Sequence, residues 1–304
     1  MYIQRGGSNL KNYWLLGASL AAVMTLSACG DSEENSAENE GGEGAPGEST
    51  SIELGYVQYA ESIAMASVWE ILLTEQGYDV NMTTMEKQFL FSGVENHEID
   101  IAFSAWMPFT DANLLEGKED SIVIHDPWFE GTSLGLVVPE YMEGVNTITD
   151  LNDQVEELSG EITGIDAGAA LTERTYEVID HYELDFELIE SSESTMIAAL
   201  DAAYEDEEPI VVTHWSPHWS FAEYDMNYLE DPDGVYGEED SIYFMANADF
   251  DEEHSEVTEL MNNAYLEEEE LSELLALTKE PGSEAEGAQE WIDNNRDIVD
   301  EWLE

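Results

Sequence analysis

Two stretches carry residues suited to holding a cation that has no proton to give. The first is Thr213-His214-Trp215-Ser216-Pro217-His218-Trp219, directly after the β-branched run Ile210-Val211-Val212. The second is Ser104-Ala105-Trp106-Met107-Pro108. Each closes a short apolar run, read as a buried strand, with a tryptophan and then a proline. Ends of strands are where α/β proteins keep their binding groups. A quaternary ammonium cannot donate a hydrogen bond, but it is drawn to indole faces, each ring within about 6 Å giving roughly 0.5–2 kcal/mol. The repeated design points to an aromatic box for a methylated ammonium group. The plainer reading is that one of these tryptophans is core.

The elements that must position these residues alternate. Strands are expected at 52–57, 78–85 and 99–105, with helices at 63–76 and 88–96 between them, and Gly77 closes the first helix. This β-α-β-α-β order is the first half of an open α/β sheet. Leu134-Gly135-Leu136-Val137-Val138 reads as a strand followed by a crossing at Pro139 into a second lobe. There, strands are expected at 162–166, 186–189 and 210–213 and helices from about 171 to His181 and at 194–204. A strand at 242–245 returns to the first lobe, and helices at 254–265, 266–277 and 285–303 complete it. The predicted organisation is a first lobe of residues 52–137 plus 241–304 and a second lobe of residues 138–240. Gly168-Ala169-Ala170-Leu171 opens a helix, so its amides are free for an anion, or its small residues only allow close packing.

The chain has 304 residues, enough for two cores, and its net charge of −64 rests on 71 acids against 7 Lys and Arg. That sign argues against a nucleic-acid partner. The acids interleave with apolar periodicity, which argues for a folded protein with an acidic surface rather than for disorder. Such self-repulsion is tolerable where salt shortens the Debye length to about 3 Å at 1 M, so a cell-surface protein of a salt-loving bacterium is expected. Residues 1–28 carry Arg5, Lys11 and an apolar stretch without acids, a signal-peptide pattern. It ends in Leu26-Ser27-Ala28-Cys29, which matches a lipobox and coincides with the single cysteine, so Cys29 is the expected lipid-anchored residue. Residues 29–51, rich in Glu, Gly and Ser, read as a tether holding the domain off the outer face of the membrane.

At these motifs the chain resembles the glycine betaine-binding lipoproteins of bacterial ABC importers. The matching stretches are Gly55-Tyr56-Val57-Gln58-Tyr59-Ala60-Glu61-Ser62-Ile63-Ala64, the two tryptophan motifs, Leu134 to Pro139, Gly164-Ile165-Asp166-Ala167-Gly168, and Tyr228-Leu229-Glu230-Asp231-Pro232. The resemblance implies an α/β, two-lobed periplasmic-binding-protein fold of type II, with ligand in a cleft between hinged lobes. It implies capture of glycine betaine, or a related quaternary ammonium such as choline or carnitine, and delivery to an ABC permease for osmoprotection. Trp106 and Trp215 match cage tryptophans, and Tyr59 stands where relatives carry a third. Ala170 and Leu171 match backbone amides that hold the ligand carboxylate. A histidine that contacts this carboxylate in relatives is replaced by Asp111, and His214 is the expected substitute donor. No cofactor or metal is implied.

Other residues have open readings. Trp128 either lines the cleft or shields the hinge, His218 is a turn residue or braces Trp215, and Glu61 caps the first helix or faces ligand. A secreted hydrolase is the rival class. However, the chain has no Gly-x-Ser-x-Gly elbow, and Pro217 stands against a helical zinc site at His214 and His218. A non-transport surface protein is a further rival, which would not need two α/β lobes with tryptophan-proline strand exits.

Overall fold

A computed structural model of the chain describes residues 51–304. The signal peptide, Cys29 and nearly all of the tether lie outside the described residues. In chain order the elements are β1 Ser51–Tyr56, α1 Ala60–Glu75, β2 Asp79–Thr84, α2 Lys87–Glu95, β3 Ile101–Met107, α3 Ala112–Leu115, β4 Ile122–Glu130 and β5 Ser133–Pro139. A 3-10 turn at Ile148–Asp153 precedes β6 Glu161–Thr163, α4 Ala170–His181, β7 Glu187–Ile189, α5 Glu193–Asp206 and β8 Val212–Ser216. After a second 3-10 turn at Trp219–Ala222 come β9 Met226–Tyr228, β10 Ser241–Asn247, α6 Phe250–Glu253, α7 Ser255–Asn263, α8 Glu268–Thr278, α9 Glu284–Asn294 and α10 Arg296–Trp302.

The strands form two five-stranded mixed sheets, ordered β2-β1-β3-β10-β4 and β7-β6-β8-β5-β9. In each, the parallel strands are joined by helices, as parallel pairing requires. β3 is buried along its whole length, because it lies at the centre of the first sheet with layers on both faces. α1 is buried almost all round, with Trp69 stacked between Phe103 and Trp302.

Two expectations need correction. The strand at Leu134 to Val138 does not close the first lobe. β5 pairs antiparallel with β8 and β9 in the second sheet, so the crossing falls at Gly131-Thr132, seven to eight residues before Pro139. Gly131 turns there with φ +88°, a conformation an L side chain rarely adopts. The strand that precedes this crossing, β4, was hidden by Asp126-Pro127, which its edge position and irregular pairing with β10 accommodate. The last helix is also broken, at Asn295, into α9 and α10.

Candidate functional site

The two tryptophan motifs have one geometry. Trp106 and Trp215 are the penultimate residues of β3 and β8, and each strand exits through a cis proline, Pro108 and Pro217. Tyr59 stands immediately before α1, the helix that follows the neighbouring strand β1. Strand ends of the two sheets thus converge on one cavity, whose space outside protein atoms is about 360 Å³ with open solvent counted. From the first lobe it is lined by Tyr59, Glu61, Lys87, Trp106 and Asp111, and from the second by Leu134, Ile165, Trp215 and the start of α4. The Tyr59 and Trp215 rings meet across the lobes at 5.5 Å between centroids, tilted by 56°.

A further wall is the N-terminus of α4. Ala169, Ala170 and Leu171 line the cavity, and Ala169 offers no side-chain cap. The first two amides of this helix, of Ala170 and Leu171, precede the reach of its own carbonyls, and the helix dipole favours an anion beside them. Gly168 allows this turn to approach the first lobe: a Cβ there would stand 3.3 Å from the Gln88 amide.

Asp111 faces the cavity, but not as a bare charge. Its Oδ2 lies 2.9 Å from Lys87 Nζ and accepts the Trp106 amide at 2.9 Å. Lys87 also donates to the Ser104 hydroxyl and carbonyl, so all its protons are engaged. Burial raises the Asp111 carboxyl above its usual range while the lysine opposes the rise. Asp240, just before β10, accepts the Phe109 and Thr110 amides and pins the loop that carries Asp111. Neither Lys87 nor Asp240 was among the residues anticipated from sequence. An apolar-looking helix gave no sign that its first residue turns inward, and Asp240 lies 131 residues from the loop it holds.

Glu61 lines the cavity. It is fully buried in the first turn of α1, and its Oε2 accepts the Trp215 indole N–H at 3.0 Å across the lobes. Its Oε1 has no partner, and neither has Asp111 Oδ1. Burial first, and then the nearby Glu193 charge, push the Glu61 carboxyl up to about 7. Tyr59 makes a further bridge, donating its hydroxyl to Asp166 Oδ2 at 2.7 Å.

Three expected site residues are elsewhere. His214 does not reach the cavity. It alternates with Trp215 along β8, so the two side chains leave opposite faces, and it is fully buried. Its Nδ1 accepts the Trp215 amide and its Nε2 meets Ser220 Oγ at 2.8 Å. Trp128 is core under the first sheet, donating to the Phe103 carbonyl at 3.1 Å. His218 packs edge-on to Trp215 at 5.0 Å, behind the cavity. The neighbouring Ser220, His218 and Glu193 have the residue types of a hydrolytic triad, but Ser220 is fully buried between two imidazoles and no substrate reaches it.

Residues 50–294 match the family model described as the substrate binding domain of ABC-type glycine betaine transport system. The chain is 35% identical over 155 residues to the glycine betaine/carnitine transport binding protein GbuC of Listeria monocytogenes, a match covering 50% of this chain and 52% of GbuC. It thus spans about half the length of that relative. Lactococcal OpuAC, solved closed with glycine betaine, superposes with a TM-score of 0.78 at 28% identity over 84% of this chain and 99% of OpuAC. The glycine betaine/L-proline-binding protein ProX of Borrelia burgdorferi gives a TM-score of 0.79 at 28% identity, over 84% of this chain and 97% of ProX. The two-lobed fold, the cavity between the lobes and the match over most of its length agree: the chain belongs to the family of substrate-binding domains of ABC-type glycine betaine transport systems.

Proposed function

We propose that this protein captures glycine betaine or a related quaternary-ammonium osmolyte between its lobes and delivers it to an ABC permease. One observation carries the reading: three rings from both lobes, Tyr59, Trp106 and Trp215, share a single cavity with the uncapped start of α4. The rings suit a bulky cation that lacks N–H groups, and the Ala170 and Leu171 amides suit its carboxylate. The three rings together contribute a few kcal/mol, about 0.5–2 each and more when water is excluded. Lys87 neutralises Asp111, which removes the repulsion an aspartate would otherwise exert on a ligand carboxylate. We further propose that the domain is held at the outer face of the membrane through Cys29 and works in high salt.

A second reading has its own support. Glu61 Oε1 and Asp111 Oδ1 both lack a donor and belong to residues lining the cavity. A ligand that brings a hydroxyl, choline or carnitine, would satisfy one of them. Calorimetric titration with glycine betaine, proline betaine, carnitine and choline separates these readings. Tightest binding of glycine betaine or proline betaine, which carry a carboxylate and no hydroxyl, supports the first, tightest binding of choline or carnitine supports the second, and no binding of any of the four overturns both.

A further inference from the structure

The Trp-Ser-Pro-His-Trp stretch holds two imidazoles that the cavity does not use, and their protons can be placed. His214 Nδ1 accepts the Trp215 amide, so the neutral ring carries its proton on Nε2 and donates to Ser220 Oγ at 2.8 Å. His218 Nδ1 accepts the Ser220 amide at 3.2 Å and lies 2.8 Å from Ser220 Oγ, the donor to it. The His218 proton is therefore on Nε2 and points at Glu193 Oε1, 3.2 Å away. The other carboxyl oxygen, Oε2, accepts the amide of Ala60 at 3.0 Å. Glu193 begins α5 in the second lobe, and Ala60 begins α1 in the first. The bonds run one way from the Trp215 amide of β8 through two rings and a serine to Glu193, which accepts from the other side the first amide of a 16-residue helix in the other lobe.

Ala60 does not stand alone. Tyr59, Ala60 and Glu61 each bond into the second lobe, to Asp166 at 2.7 Å, Glu193 at 3.0 Å and Trp215 at 3.0 Å. The residues on either side of Ala60 both line the cavity.

We propose that Glu193 is a positioning residue that latches the closed lobes: one carboxyl oxygen is held by His218, the other grips the first amide of α1, and the cavity residues Tyr59 and Glu61 are thereby set against the second lobe. The latch rests on the reading that ligand is captured between the lobes. The Glu193 side chain is 12% exposed here and becomes open to water when the lobes part. The latch therefore acts on the lifetime of the closed state, and its loss appears in the dissociation rate rather than the association rate.

Two variants remove the contact from opposite sides. Glu193→Ala deletes the acceptor. Ala60→Pro deletes only the N–H: Ala60 is the first residue of α1, where proline is tolerated, and Tyr59 before it is already extended at φ −115° and ψ 143°. Stopped-flow tryptophan fluorescence with glycine betaine, and with choline in parallel, gives both rate constants. Each variant is expected to dissociate about tenfold faster with unchanged association, and the double variant no faster than either alone. Ser192→Ala removes the cap of the same α5 helix, where Ser192 accepts the Thr195 amide, and is expected to lower Tm without changing the rates. Unchanged dissociation in both single variants, or additive losses in the double, overturns the latch. A wild-type protein that responds to neither ligand overturns the functional reading, and the latch with it.

Discussion

Lys87 and Asp111 form a buried ion pair, 2.9 Å apart, at the wall of the cavity, and the aspartate oxygen that meets the lysine also holds the amide of Trp106. The pair makes Asp111 a brace for Trp106 and removes the conflict a bare acid would pose to the proposed carboxylate site. Both side chains are at most 5% exposed, so each charge depends on the other.

Removing one partner strands the other. Lys87→Met is expected to destabilise the fold by about 3–5 kcal/mol, whereas the paired change Lys87→Met with Asp111→Asn recovers most of the loss. Urea unfolding of the three proteins measures this. Equal destabilisation by the single and paired changes would show that the ion pair is not what matters.

Tyr59 combines a ring in the cavity with a hydroxyl that reaches Asp166 in the second lobe. Tyr59→Phe keeps the ring and loses the bridge, with an expected drop in affinity of about tenfold, since hydrogen bonds to charged groups contribute about 1.5–3 kcal/mol. Tyr59→Ala loses both and is expected to bind more weakly than Tyr59→Phe. Titration calorimetry on the pair separates the two parts, and equal affinities would deny the ring its role.

The main lines of this site were legible because they depend on short-range pattern. An apolar run followed by tryptophan and proline marks a strand exit, and both exits do face one cavity. The start of α4 was legible from Gly168-Ala169-Ala170-Leu171 for the same reason. What failed depended on one-residue register or on distant partners. His214 reads as available only if Trp215 lies beyond the strand; β8 runs to Ser216, and alternation then sends neighbours to opposite faces. Pro127 argues against a strand interior beside Trp128, yet β4 is an edge strand, where a proline is tolerated. Glu61 was ambiguous because its partner, Trp215, lies 154 residues away in another lobe.

Two buried acids link capture to pH. Glu61 is pushed up to about 7, by burial and then by Glu193, with Lys87 opposing; Glu193 is pushed up to about 8 by burial, with the Ala60 amide opposing. Parting the lobes returns both toward the ordinary value of 4.5. Their protonated forms therefore favour closure. Affinity is expected to be full at pH below the ordinary value and to fall as pH rises through 7 to 8. Titrations near neutral pH in buffers of different ionisation enthalpy should report net proton uptake, reduced in Glu61→Gln. Zero uptake would contradict this linkage.

The net charge of −64 on 304 residues is expected to make stability salt-dependent. At about 0.01 M salt the Debye length of about 30 Å leaves the surface acids repelling one another, and at about 1 M the range shrinks to about 3 Å. The melting temperature should rise steadily across that interval. Equal melts at both ends would remove the case for a protein suited to high salt.

The most direct measurement is a calorimetric titration of the Trp106→Ala, Trp215→Ala double variant with glycine betaine, with circular dichroism to verify that it is folded. Loss of two rings from a dry cage is expected to weaken binding about a hundredfold or more. A folded double variant that binds as tightly as the wild type would contradict the aromatic cage on which this account stands.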